Sequence, residues 1–422
     1  MEVTEASIVI PSEDTPKRKI WLSNFDLTFG VREHTPSIYL YRPNGDPNFF
    51  TVETLKSSLS KALVHFYPLA GRLEVGEDGR VEINCTGEGV LFTVVQSEYG
   101  VEKFGDFAPS DELRQALVPP VASSQPPCML LMVQVTFFKG GEVALGLANH
   151  AADGRSSFHF IKTWTDIARG MSDISLPPFF DRTLVRARSP PTVTVDHIEY
   201  KKPKNSNSNT FMAPPPFVTS ILTLTKNQVS ALKRSTNREK PLSTFKAVIA
   251  HIWRSACVAR KLAPNHDTRL YTVADVRSRL SPPLPGAYFG NAILRTSGDA
   301  KVGEIVSNAL ELAGEKIQRA VARVDDEYAR SLIDYLEMGN DEREWFLTEG
   351  DLLVISWLGM PIYEVDFGWG KPEFMTRANM FCGGVGYILD SPGGSGDVSV
   401  VMAMEIENME GFKKAFYQGF ED

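Results

Sequence analysis

Two apolar runs in the first half of the chain constrain its fold most. Met129 to Phe138 is apolar almost throughout, and Val143 to His150 follows it after the turn Lys139-Gly140-Gly141-Glu142. A strand with no polar alternation is buried on both faces, so it needs further layers of structure around it. The second run leads directly into Asn149-His150-Ala151-Ala152-Asp153-Gly154. Beyond it, Ser157 to Ile167 carries Phe158, Ile161, Trp164 and Ile167 as the core contacts of a helix. A His at the end of a buried strand, beside an Asp-Gly turn, is a position for a catalytic base. A core His ahead of a strand-to-helix turn is the structural alternative, and this stretch by itself leaves both open.

The same reading along the chain alternates strands with helices. Strands are expected at residues 6–10, 34–41, 81–84, 90–95, 218–224, 270–276, 352–355, 385–389 and 398–405. Helices are expected over 51–66, 226–235, 243–260, much of 302–336, and 409–417. That order predicts an α/β fold with mixed sheets flanked by helices. At 422 residues the chain exceeds what one core supports, so two domains are expected. Residues 176–216 hold Pro177-Pro178, Pro190-Pro191, an Asn/Ser run and Pro214-Pro215-Pro216, the composition of a crossover. The expected division is 1–185, a linker over 186–216, and 217–422, with some C-terminal strands packing on the first domain.

A net charge of -8 argues against a nucleic-acid or membrane-surface partner. Cys85, Cys128, Cys257 and Cys382 are widely separated and lack metal-ligand spacing. Scattered thiols suit a reducing compartment, and neither a secretory leader nor a membrane span is read. The expectation is a cytoplasmic monomer with no metal and no bound cofactor.

Two blocks carry a resemblance. His150-Ala151-Ala152-Asp153-Gly154 and Asp366-Phe367-Gly368-Trp369-Gly370, in this order and at this separation, resemble the plant BAHD acyltransferase family. Phe66 to Leu73, Tyr288-Phe289-Gly290-Asn291 and Ser356-Trp357 extend the likeness over nearly the whole chain. His34-Thr35-Pro36-Ser37, Gln134 to Lys139, Arg182 to Arg188 and Pro361-Ile362-Tyr363 bring it nearest to the shikimate/quinate hydroxycinnamoyltransferases. The resemblance implies two similar domains of chloramphenicol-acetyltransferase type with an active-site channel at their interface. It implies an acyl-CoA co-substrate and an alcohol or amine acceptor. A strand-end His removes the acceptor's proton as it attacks the thioester. Asp153 is then structural and pairs with Arg277 or Arg279, read as sharing one strand face. Asp366, Gly368 and Trp369 are structural on the CoA side. His34, Ser37 and Ile355 are candidate acceptor-site residues, and Ser243 with Lys246 candidate CoA contacts.

The family motif is His, three residues, then Asp. Counted back from Asp153, the catalytic place falls on Asn149, and His150 comes one residue late. Alternation along a strand puts 149 and 150 on opposite faces, so His150 needs a bulge to reach the channel. An Asn amide donates and accepts hydrogen bonds but takes no proton at neutral pH. Ile355 stands two residues before Trp357, where the resembling enzymes hold an oxyanion with Thr, and Arg343 is the nearest guanidinium for an acceptor carboxylate. Three readings follow, with Asn149, His150 and Trp357 as candidate catalytic residues. One is an acyltransferase with a rearranged site, the second lyase or isomerase chemistry on the same scaffold, and the third a non-catalytic ligand-binding relative.

Overall fold

The long apolar strands of both halves become central strands of separate sheets. The computed structural model describes residues 1–29, 34–120, 126–172, 174–201, 215–234, 242–339 and 347–420. The chain divides into two compact units. Unit 1 comprises Met1–Arg186, Pro282–Ala292 and Met360–Asn379, and unit 2 the remainder.

Unit 1 begins with β1 (Glu2–Val9), β2 (Lys19–Trp21), α1 (Asn24–Phe29), β3 (Thr35–Tyr41) and α2 (Val52–His65). Next come β4 (Arg72–Val75), β5 (Val81–Asn84), β6 (Val90–Gln96), α3 (Asp111–Leu117), β7 (Cys128–Met129), β8 (Leu131–Phe137), β9 (Val143–Asn149) and α4 (Gly154–Ala168). Unit 2 contains β10 (Phe217–Leu224), α5 (Lys226–Arg234), α6 (Thr244–Arg260), β11 (Asp267–Asp275), β12 (Ile293–Lys301), α7 (Val302–Ser307), α8 (Leu310–Ala322), α9 (Asp326–Glu337) and β13 (Leu352–Ser356). The chain then supplies β14 (Phe374–Arg377) to unit 1 before β15 (Val385–Asp390), β16 (Val398–Glu405) and α10 (Ile406–Tyr417) complete unit 2.

Among the described residues, unit 1 has a six-stranded sheet in the order β1-β6-β8-β9-β3-β14 and a four-stranded sheet β2-β5-β4-β7. The larger one is mixed, because β6 and β8 run parallel while its other pairs are antiparallel. On one face, Ile38, Leu40, Met132, Ala144 and Ala148 form a core with Leu113 and Leu117 of α3. Gly146 lies on that face, and a Cβ there would sit 1.8 Å from the Leu117 carbonyl oxygen. Glycine is what allows α3 to come this close. Trp164 of α4 anchors α2 by donating from its indole to Ser58 Oγ at 3.0 Å.

Unit 2 has the sheet order β10-β16-β15-β13-β11-β12, with β13 parallel to both neighbours. Eleven side chains of α6 are buried, Trp253 among them, and the helix is the spine of this core. Residues 187–201, read from sequence as part of a linker, are tied within unit 2. Arg188 Nε donates to Asp334 at 2.6 Å, and buried Glu199 accepts from Ser297 N and Oγ. The Asn/Ser run of the expected linker lies outside the described residues.

One local expectation is corrected. β11 ends at Asp275, whose carboxylate accepts the Arg277 amide at 2.8 Å and turns the chain. Arg277 and Arg279 therefore do not share a strand face. Arg277 is buried against Asp275, and Arg279 donates to the Val321 and Val324 carbonyls, both at 2.7 Å.

Candidate active site

The end of the β9-β3-β14 ribbon brings sequence-distant polar residues onto one face. Antiparallel pairing sets Thr35 opposite Asn149, Ser37 opposite Leu147, and Arg377 opposite Ser37. Directly paired residues point to the same side of a sheet, and residues two apart on one strand do so too. Thr35, Ser37, Asn149 and Arg377 thus share the face opposite the Ile38–Ala148 core, and all four are half-buried. A partly open, polar strand end is where a buried sheet can meet a ligand. Asn149 and Ser37 are candidates named from the sequence, and Arg377 joins them on this face only through the β3–β14 register.

Asn149 is held by the turn it begins. Its Nδ2 donates to Ser157 Oγ at 3.1 Å and to the Ala152 carbonyl at 3.4 Å. A carbonyl only accepts, so this neighbour fixes which end of the amide is nitrogen. Ala151 takes φ +58, which lets the chain leave the strand and enter α4. Asp153 caps α4, accepting Ser156 N on one oxygen and Ala292 N on the other, both at 3.0 Å. Ser156 Oγ donates to the Gly290 carbonyl at 2.9 Å. Beneath this turn, Arg182 donates to the Ala151 and Phe289 carbonyls and lies 3.4 Å from Asp26. Asp26 also accepts both nitrogens of Asn291 and the amide and hydroxyl of Ser23. Asp26 and Ser156 carry no sequence signal for this role, because the partners that tie them to the turn, Asn291, Arg182 and Gly290, lie over a hundred residues away.

His34 and His150 are placed elsewhere. His150 is 1% exposed, its amide bound to the Leu130 carbonyl, and its ring centroid lies 3.7 Å from that of His34. His34 Nε2 contacts the Met129 carbonyl at 2.8 Å. Both rings lie on the α3 side of the sheet, away from Asn149, as strand alternation requires. The left-handed residue comes after His150, so no bulge carries the ring across.

Burial lowers the His34 pKa to about 3; His150 and Arg114 act in the same direction and the Met129 carbonyl opposes them. Folded His34 therefore stays neutral where an unfolded His, near 6.5, is protonated. The unfolded chain binds the extra proton, so this contribution is complete above about pH 6.5 and is lost as pH falls toward 3. His34→Gln, which can keep the bond to Met129, is expected to flatten the acid-side decline by up to about 1.4 kcal/mol per pH unit. Urea unfolding at pH 7, 6, 5 and 4 checks this, and identical slopes for variant and wild type would refute it.

A family model described as the transferase family matches residues 1–419. A putrescine hydroxycinnamoyltransferase of Oryza sativa is 47% identical, with 99% of each chain covered. A shikimate O-hydroxycinnamoyltransferase of Nicotiana tabacum is 44% identical over the same shares. The chain belongs to the BAHD transferase family. Vinorine synthase shares the fold, with a TM-score of 0.77 at 24% identity, covering 97% of this chain and 96% of that one. So does F. sporotrichioides TRI101, solved with coenzyme A and T-2, at TM-score 0.76 and 20% identity, covering 94% and 97%. The mixed α/β architecture expected from sequence is borne out, as is the family resemblance.

As a BAHD member the chain is an acyl-CoA-dependent acyltransferase. Its Asp366 loop is built within unit 1. Asp366 Oδ1 accepts the amides of Gly368 and Gly370, at 2.8 and 2.9 Å, and both glycines take φ near +108. Phe367 is buried against Tyr41, Phe50 and Trp164, and the Trp369 carbonyl accepts from Asn44. In unit 2, Trp357 is buried edge-on to Tyr387, with its amide on the Ile388 carbonyl, and Ile355 is half-buried on β13. Ser243 caps α6, its hydroxyl accepting the Lys246 amide at 3.3 Å. Arg343 lies outside the described residues. Among those residues, no cluster of His, Cys, Asp or Glu could hold a metal ion, and no helix is long and apolar enough to cross a membrane.

Proposed function

We propose that this acyltransferase moves a hydroxycinnamoyl group from its CoA thioester to an amine in preference to an alcohol. The two relatives' names supply one acceptor of each kind, putrescine and shikimate. The orientation of Asn149 favours the amine. With Nδ2 donating to Ala152 and Ser157, Oδ1 is the acceptor that the side chain offers a substrate. It receives a hydrogen bond from an N–H or O–H and aims the nucleophile, but it cannot take the proton.

An alcohol needs that proton removed as it attacks, and losing a general base costs about 10² to 10⁴ in rate. A neutral amine attacks through its own lone pair. The N–C bond forms, the C–S bond breaks, and CoA leaves as a thiolate that recovers the proton the nitrogen sheds. Positioning of the nucleophile then carries more of the rate. The same proposal gives the CoA phosphates to Ser243 and Lys246 at the start of the 17-residue α6, where amides and helix dipole favour anions.

Thiol release from p-coumaroyl-CoA tests the reading with primary amines and with alcohols of matched skeleton. Amines are expected to exceed alcohols by at least about 10²-fold. Equal rates would contradict it, and so would turnover of a substrate without CoA while no acyl-CoA reacts.

A further inference from the structure

Arg377 occupies the edge strand of the sheet that carries Asn149. Three observations place it. It pairs directly with Ser37, which is two residues along β3 from Thr35, the partner of Asn149. Its strand neighbours Phe374 and Ala378 pack into the Ile38–Ala148 core on the opposite face. Its Nε is buried although the residue as a whole is half-exposed. Two strand spacings and one two-residue step put its Cα about 12 Å from that of Asn149, with Ser37 and Thr35 between.

We propose that Arg377 is a specificity-determining residue that recognises a carboxylate on the acceptor. The acceptor class is then an amine whose small ring or short chain sets a carboxylate away from the nucleophilic nitrogen. The nitrogen hydrogen-bonds to Asn149 Oδ1, and the carboxylate meets the planar fork of the guanidinium, which matches its two oxygens. The Ser37 hydroxyl, opposite Arg377, is placed to donate to the same group. A fixed cation also discriminates against cationic acceptors: an aliphatic diamine brings a second positive charge toward Arg377, and a partly buried site screens that repulsion poorly. The inference rests on the acyl-transfer reading above but separates this chain's acceptor from the putrescine in its relative's name.

The test compares 3- and 4-(aminomethyl)benzoate with their methyl esters, which keep the amine and neutralise the carboxylate, using p-coumaroyl-CoA and thiol release. Wild type is expected to favour at least one acid over its ester by 10-fold or more in kcat/KM, and both acids over putrescine. Arg377→Gln is expected to bring acid and ester to parity through a raised KM for the acid. Wild-type parity between acids and esters would overturn the assignment, as would a variant that keeps the preference or loses both substrates equally. Thermal stability gives a readout without turnover. The acid should raise the Tm of wild type and not of Arg377→Gln; the same shift in both also overturns it. Binding of the acid through Arg377 without thiol release from any acceptor would instead sink the acyl-transfer reading.

Discussion

Asn149→His is expected to raise kcat/KM for alcohol acceptors by about 10² to 10⁴, the usual contribution of a general base. The surroundings already suit an imidazole. The Ala152 carbonyl and Ser157 Oγ, which now accept from the Asn149 amide, would accept the ring N–H and fix its tautomer. The other ring nitrogen then faces the side where Asn149 Oδ1 now points. Amine acceptors should gain far less, since their first step needs no base. Parallel thiol-release measurements with matched amines and alcohols check this. An alcohol rate that stays flat in a folded variant would show that position 149 does not meet the acceptor. Equal gains for both classes would show that the present side chain does not select between them.

Asp26→Ala is expected to lower stability by about 3–5 kcal/mol, the range for removing one partner of a buried ion pair. The Asp26 and Arg182 side chains are 0% and 1% exposed, so the variant strands a guanidinium in the core. It also leaves the Asn291 and Ser23 donors without the carboxylate they share. Because Arg182 holds the Ala151 and Phe289 carbonyls, the turn after Asn149 loosens with it. Activity should therefore fall at temperatures where the variant is still folded. Asp26→Asn keeps the volume but turns two N–H groups toward other donors, so it should also destabilise. Chemical denaturation measures both, and midpoints unchanged from wild type would refute the role given to this pair.

Long periodic elements were legible in the sequence. The strands around 81–84, 218–224 and 398–405 and the helix near 243–260 lie where their patterns put them, because burial on one face or both leaves a readable period. What was missed is short or held by distant partners. α3 sits in a proline-containing stretch, and its reason for folding is the core under Gly146. β14 has four residues, and its partner β3 lies more than three hundred positions earlier. Arg377 could not be placed on the face of Asn149 without that pairing. The count from Asp153 to Asn149 was readable because it is local. That His150 turns to the opposite face followed from alternation, but its contact with the His34 ring followed only once the register was known.

The discontinuous make-up of unit 1 has a consequence for biosynthesis. β3 gains its outer neighbour only when residues 374–377 have left the ribosome, late in a chain of 422. Until then the nascent unit exposes an unpaired strand edge, which invites pairing with another nascent chain. Closure of that edge spans most of the sequence, so it should be among the slow, non-local steps of folding. A chain terminated shortly before residue 374 would leave β3 without its outer neighbour and would also lack β15, β16 and α10 of unit 2, so it would be prone to association. A late stop codon would thus leave both six-stranded sheets incomplete in a protein whose strand-end residues were made long before.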